Sequence, residues 1–536
     1  VILAVTLLPV AAILWLALAA DDGSWAHLSR NVLPEAMVTT ALLLLGVGIV
    51  TAIAGTATAW LITQYRFPGR DLASWLLLLP LAVPTYIVAY SYGTLLDYAG
   101  PLQTALRSLL GFADRRDYWF PEVRSLTGAA LVLAAVLYPY VYLAMRASFL
   151  QQSVGTLEAA RTLGMSTPGA FFRVALPLAR PALAGGLALV LMEALNDLGA
   201  TEYLGVRTLT VSAYQTWLQR SSLAGAAEIA AVTLLFVAAA FTLERVSRGG
   251  GAYHDPVARW RPVPEIEIGG AAGWSMLAVV LVPFVIGFVL PMAMLLDSAL
   301  RYIGEVREAG FWRAALHSLL LATLAAGLAT ALALYLTYAR RVAPNGFTRP
   351  AVSLTGFGYA LPGTILALGL LIPLAGFDNW IDGLARSWLG MSTGLMLSGT
   401  ILALLVAYTV RFMAVSLAAT ESGFSRLSPN LDAAARTLGE TALTAFRRVH
   451  FPLLRPAVGT ALLLVFVDVM KELPATLLLR PFDFETLATR VYGFAAIEAF
   501  EEAAFGALTI VAIGLVPVIL LNWTIVGRRR AIRRDR

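Results

Sequence analysis

The chain has 536 residues, 59% hydrophobic and 13% charged, with a mean hydropathy of +0.76. A soluble protein carries about 25% charge, and one soluble core stops growing at about 250–300 residues. A soluble enzyme and a disordered chain are both excluded, which leaves an integral membrane protein. At about 20 apolar residues per span, there is room for about a dozen spans.

Twelve hydrophobic stretches follow along the chain: 2–20, 38–63, 72–94, 126–149, 180–201, 225–243, 272–296, 313–338, 351–375, 393–418, 455–477 and 505–526. They are Leu/Ala-rich and too long for strands, so each reads as a helix. The first is followed by Asp21-Asp22 and resembles the end of a signal peptide. No basic n-region precedes it, and it has a repeat partner at 272–296, so a retained span is expected. Pro80 and Pro84 interrupt the third stretch, and Pro362-Gly363 the ninth. Backbone unwound at that depth needs a cavity or protein neighbours. Residues 244–271, with Gly249-Gly-Gly251, Pro256, Pro262 and Pro264, read as a cytoplasmic linker. It separates a first six-span half (1–243) from a second (272–536).

The charges set the orientation. With the N-terminus inside, basic residues on the inner segments outnumber those outside by roughly two to one. The tail Arg528–Arg536 is the densest part. The pI of about 9.5 is thus a topology signal and a contact with lipid headgroups rather than a sign of nucleic-acid binding. Cysteine is absent, which rules out disulfides and thiolate metal sites. The four histidines (His27, His254, His317, His450) are scattered and receive no role.

The two halves are parallel repeats. Residues 158–182 read EAARTLGMSTPGAFFRVALPLARPA and residues 433–457 read AAARTLGETALTAFRRVHFPLLRPA, at an offset of 275. More than half of the positions are identical, among them Ala159/Ala434, Ala160/Ala435, Arg161/Arg436, Gly164/Gly439, Phe171/Phe446 and Pro177/Pro452. Each copy is a cytoplasmic loop with a short Ala-rich helix stopped by glycine. Small residues beside a charge suit docking into a partner's groove better than lipid anchoring, which uses bulky apolar residues.

Glu158-Ala-Ala, Gly164 and the Leu176-Pro177 end resemble the "EAA" loop of permease subunits of binding-protein-dependent ABC importers. The resemblance covers both halves. It implies a type I importer permease fold: all-α and polytopic, with about twelve transmembrane helices in two six-span repeats. It implies that Glu158, Ala159, Ala160, Arg161 and Gly164 form one coupling helix. Asp432, Ala434, Ala435, Arg436 and Gly439 form the other, where Ala433 replaces the glutamate and Asp432 sits one residue earlier, so the two docking contacts are unequal. The partners implied are two ATPase subunits and a periplasmic binding protein, in a bacterial inner membrane with both termini cytoplasmic. The chain's only lysine, Lys471, lies between Met470 and Glu472, so it has no Gly-Lys-Ser/Thr phosphate loop. No cofactor is assigned to this chain, and ATP and Mg belong to the partner ATPase.

The span after each loop carries charge at the same offset: Glu193/Asp468, Asn196/Lys471 and Asp197/Glu472. Positions i, i+3 and i+4 share a helix face, and intramembrane charge faces a bundle interior or cavity. Two readings are open, a polar lock with Lys471 bridging to Asp197 or Glu472, and the lining of a path. Gly199 and Pro474 loosen the outer end of each helix. The stretches Glu202–Thr210 and Lys471–Pro481 look like fused ferric-iron permeases, a shape shared with thiamine and aminophosphonate permeases. Acidic path residues are compatible with a cation. Glu498, Glu501 and Glu502 read as a solvated outer face. An ion-coupled secondary carrier and a membrane scaffold are the other classes, and neither needs a docking loop.

Overall fold

The computed structural model describes residues 2–19, 23–152, 160, 162, 164–248, 266–302, 304, 308–343, 345–346, 348–428 and 430–534. These are almost all helical, with one short parallel strand pair among them, Tyr65–Arg66 with Ile266–Glu267. Each predicted stretch lies mostly on helix, though the tenth (393–418) becomes helical only at Ile401. Nine helices among the described residues are long and apolar enough to cross a membrane, and eleven crossings result if each of two bent pairs is one span. The predicted sixth span lies on the 26-residue helix Leu223–Arg248.

The breaks have local causes. The helices Arg70–Ala82 and Thr85–Leu110 meet at 93°, where Pro80 and Pro84 remove backbone donors. Pro84 (φ −58°, ψ 139°) is extended and starts Thr85–Leu96; Pro362 (φ −52°, ψ 136°) starts Gly363–Leu389 in the same way.

The chain packs as two compact units. One comprises residues 1–30, 212–232 and 302–517, the other residues 31–211, 233–301 and 518–536. The repeat and the packing therefore divide the chain differently, because each unit contains the first span of the opposite sequence half. In the former unit Ile2–Ala19 lies on Gly363–Leu389 so closely that a Cβ on Gly369 would overlap the carbonyl oxygen of Pro9. In the latter, a Cβ on Gly287 would overlap the carbonyl of Ala135, and the Tyr92 hydroxyl donates to the Ile286 carbonyl at 2.6 Å.

One helix crossing is built twice with different chemistry. Where Leu33–Gln64 crosses Leu126–Gln151, a Cβ on Gly55 would lie 2.7 Å from Val141 Cβ and 2.9 Å from the Tyr138 carbonyl. The positions 275 residues on are Thr330 and Ser416, whose hydroxyls hydrogen-bond at 3.2 Å. Small residues and polar glue are the two means of holding helices together where burial from water gives no drive.

Candidate functional site

Each loop copy ends its first helix in the same turn. Gly164 (φ +82°) and Gly439 (φ +79°) take the left-handed conformation. The N–H of the next residue bonds back five positions, Met165 to Ala160 at 3.1 Å and Glu440 to Ala435 at 3.0 Å. Gly439 N–H also meets the Arg436 carbonyl at 3.0 Å. This is the Schellman stop, which glycine adopts without a Cβ penalty. A short second helix follows, capped by Ser166 over Thr167–Ala170 and by Thr441 over Ala442–Ala445. Each then widens into a π-turn at matching positions, Phe171–Ala175 and Phe446–His450. The conserved-in-repeat phenylalanines anchor these turns. Phe171 packs on Trp60 with ring centroids 4.8 Å apart, and Phe446 on Tyr338 at 4.9 Å.

Glu158, Ala159 and Arg161 lie outside the described residues. Ala160 and Ala435 are both buried against their own chain. In Asn430–Thr437 the outward residues are Ala433, Ala434, Arg436 and Thr437, continued by the highly exposed Leu438. Of the second alanine pair, then, only Ala434 is presented outward. Asp432 turns inward. Its Oδ2 accepts from Arg341 Nε at 2.8 Å, and its Oδ1 lies 2.9 Å from His450 Nε2. His450, left without a role by the sequence, is fully buried. The signal for it was its place in the repeat, opposite Ala175.

The charged spans are broken where the sequence placed the charges. Arg180–Asn196 stops, residues 197–198 are non-helical, and Gly199–Tyr203 restarts. Phe451–Met470 stops, and Pro474–Leu479 restarts. The carboxylate at each break caps the short helix that follows. Asp197 Oδ1 accepts from Thr201 N at 2.8 Å, and its other oxygen from the Thr85 hydroxyl. Glu472 accepts from Ala475 N at 3.0 Å and from Thr476 N at 3.1 Å. Negative charge at a helix N-terminus is favourable.

The two breaks differ in their cations. Glu472 Oε1 is 3.1 Å from Arg411 Nη1, and both side chains are nearly inaccessible. Lys471 pairs instead with Asp468, at 3.0 Å. The reading in which Lys471 bridges to Glu472 is corrected: Arg411, from Ile401–Ser425, takes that place. As an arginine well inside the stretch 393–418, it was visible as intramembrane charge. At position 196, Asn196 is buried and neither of its amide atoms has a partner. Glu193 is partly buried. Among the described residues no three His, Cys, Asp or Glu side chains gather as a metal site.

Residues 45–248 match the family described as "Binding-protein-dependent transport system inner membrane component". The chain is also 24% identical over 92% of its length to the "Fe(3+)-transport system permease protein FbpB 2" of Haemophilus influenzae, covering 91% of that protein. The chain is thus similar, over residues 45–248, to that family. It is a permease subunit of an ABC importer in the inner membrane. The "Ferric transport system permease protein FbpB" of Actinobacillus pleuropneumoniae is 22% identical over 92% of this permease and 72% of its own length. The "Molybdenum transport system permease protein ModB" of Escherichia coli is 32% identical, over 27% of this permease and 61% of its own length.

Proposed function

We propose that this permease forms the membrane path for ferric iron, handed over by a periplasmic binding protein and released in the cytoplasm. Hydrolysis is supplied by two separate ATPase subunits carrying ATP and Mg, one docking on each glycine-stopped loop, with both termini cytoplasmic. The observation that carries the substrate is the similarity running through both halves to permeases named for ferric transport. The docking role is supported by the matched Schellman turns and π-turns of the two loops. Glu193, Asn196, Asp197, Asp468, Lys471 and Glu472 supply the polar element of the path. Asp197 and Glu472 act there as caps that hold each break open, with the iron passing as substrate.

An oxyanion substrate is the second reading, favoured by the 30–32% identity of part of the chain to sulfate and molybdenum permeases. An acidic path weighs against an anion. Thiamine and aminophosphonate binding proteins complete the comparison. The test is reconstitution of the permease with its ATPase and binding protein in liposomes. ATP hydrolysis should rise with Fe³⁺-loaded binding protein. Stimulation by a sulfate-, molybdate-, thiamine- or phosphonate-loaded protein instead would overturn the iron assignment.

A further inference from the structure

The second loop is tied to the membrane helices by charges whose counterparts in the first loop, at the 275-residue offset, are Leu157 and Ala175. Arg341 sits near the inner end of Ala309–Val342 and reaches three places at once. Its Nε meets Asp432 Oδ2 at 2.8 Å, its Nη1 the Phe424 carbonyl at 3.1 Å, and its Nη2 the Ser428 carbonyl at 3.0 Å. It therefore joins the exposed carbonyls at the end of Ile401–Ser425 to the docking helix Asn430–Thr437, as a cation does best at a helix C-terminus. His450 closes the assembly from the other side. Its Nδ1 lies 3.2 Å from the Ala445 carbonyl and its Nε2 2.9 Å from Asp432 Oδ1. A carbonyl only accepts, so Nδ1 carries a proton. Tyr338 and Phe424 wall the ring, and Tyr338 also donates to the Ala442 carbonyl at 2.6 Å.

At an offset of 275 the counterparts of Arg341, Asp432 and His450 are Arg66, Leu157 and Ala175. Arg66 is spent elsewhere, on an exposed pair with Glu267 at 3.4 Å. We propose that Arg341, Asp432 and His450 form a latch that gears the second docking helix to the transmembrane helices. They act as positioning residues through which movement of one ATPase subunit reaches the path. The proposal rests on the coupling role proposed above.

The test uses the full reconstituted complex and reads iron transported per ATP hydrolysed. D432N and H450Q should each lower that ratio by about fivefold, the scale of a modest coupling energy, and D432E should restore most of it. R66Q, at the matching place in the first half, should leave it near wild type. An unchanged ratio in D432N and H450Q, or an equal loss in R66Q, overturns the latch. A second measurement needs no substrate. Spin labels at the exposed Leu438 and Tyr335 should give one narrow distance in the wild type and a broadened one in D432N. An unbroadened distance also overturns the latch. A wild-type complex that iron fails to stimulate, yet whose label distance broadens in D432N, would sink the substrate assignment and leave the latch standing.

Discussion

Arg411 Nη1 stands 3.1 Å from Glu472 Oε1 at a helix break, with both side chains almost wholly withdrawn from solvent. The pair is shut in further by Gly363, where a Cβ would overlap Arg411 Nη1 and come within 2.8 Å of Glu472 Oε1. At the matching break, Asp197 accepts from the Thr85 hydroxyl and from Thr201 N, with no cation in an ion pair with it among the described residues of its unit.

Removing one member of this pair should be worse than removing both. R411Q leaves a buried carboxylate without its counter-ion, which costs about 3–5 kcal/mol. R411Q combined with E472Q should recover most of that loss. G363A should behave like R411Q, because the added methyl pushes the guanidinium aside. Unfolding of the purified permease in detergent, followed by helix content against denaturant, measures all three.

The turns after the docking helices are conformational and not crowded. A Cβ on Gly164 or Gly439 would meet nothing within 4 Å, yet both residues have positive φ. G439V should therefore strain the loop by about 1–2 kcal/mol and uncouple ATP hydrolysis from iron uptake. G439N, whose side chain tolerates this conformation, should be much milder. If the two variants uncouple equally, side-chain bulk at a docking surface is responsible, and not the turn.

The duplicated helix crossing predicts unequal sensitivities. G55A drives a methyl into Val141 and the Tyr138 carbonyl, a clash worth about 1–3 kcal/mol. T330V at the equivalent crossing loses a hydroxyl contact worth about 0.6 kcal/mol. Thermal inactivation of transport in liposomes should fall clearly for the first and barely for the second.

Glu440 sets a pH limit on the second loop. Its carboxyl is held below the ordinary 4.5 by the Thr444 hydroxyl and by Arg448, whose Nη1 is 2.9 Å away. A depressed acid stabilises the folded loop above its ordinary titration range and stops doing so as pH falls through the lowered value. A spin label at the exposed Leu443 should stay immobile at neutral pH and gain motion only as the pH falls below the ordinary carboxylate range. E440Q should remove that dependence.

The twelve stretches and the 275-residue offset were legible because helical periodicity and duplication are properties of the chain alone. Even the break points could be read, since Gly199, Pro474, Pro84 and Pro362 act on their own backbone. Partners were not legible. Lys471 is adjacent to Glu472, yet it pairs with Asp468 one turn back on its own helix, while Glu472 is met by Arg411 from another helix. Which turn faces which is decided by helix crossings that no local pattern encodes. The same holds for Asp432, read as a docking residue and found turned toward Arg341 and His450, and for Ala435, whose identical neighbour Ala434 faces outward.

The place of Ile2–Ala19 has a consequence for biosynthesis. This helix is made some 350 residues before the surface it needs, around Gly369. At about 5–20 residues per second, the helix waits tens of seconds in the bilayer without that partner. Its outward side is suited to that wait, with Leu8, Leu14, Trp15 and Leu18 all exposed in the finished protein. A nascent chain arrested before Gly363 should hold Ile2–Ala19 inserted without its Gly363–Leu389 partner, so this unit closes on a segment made long before most of it.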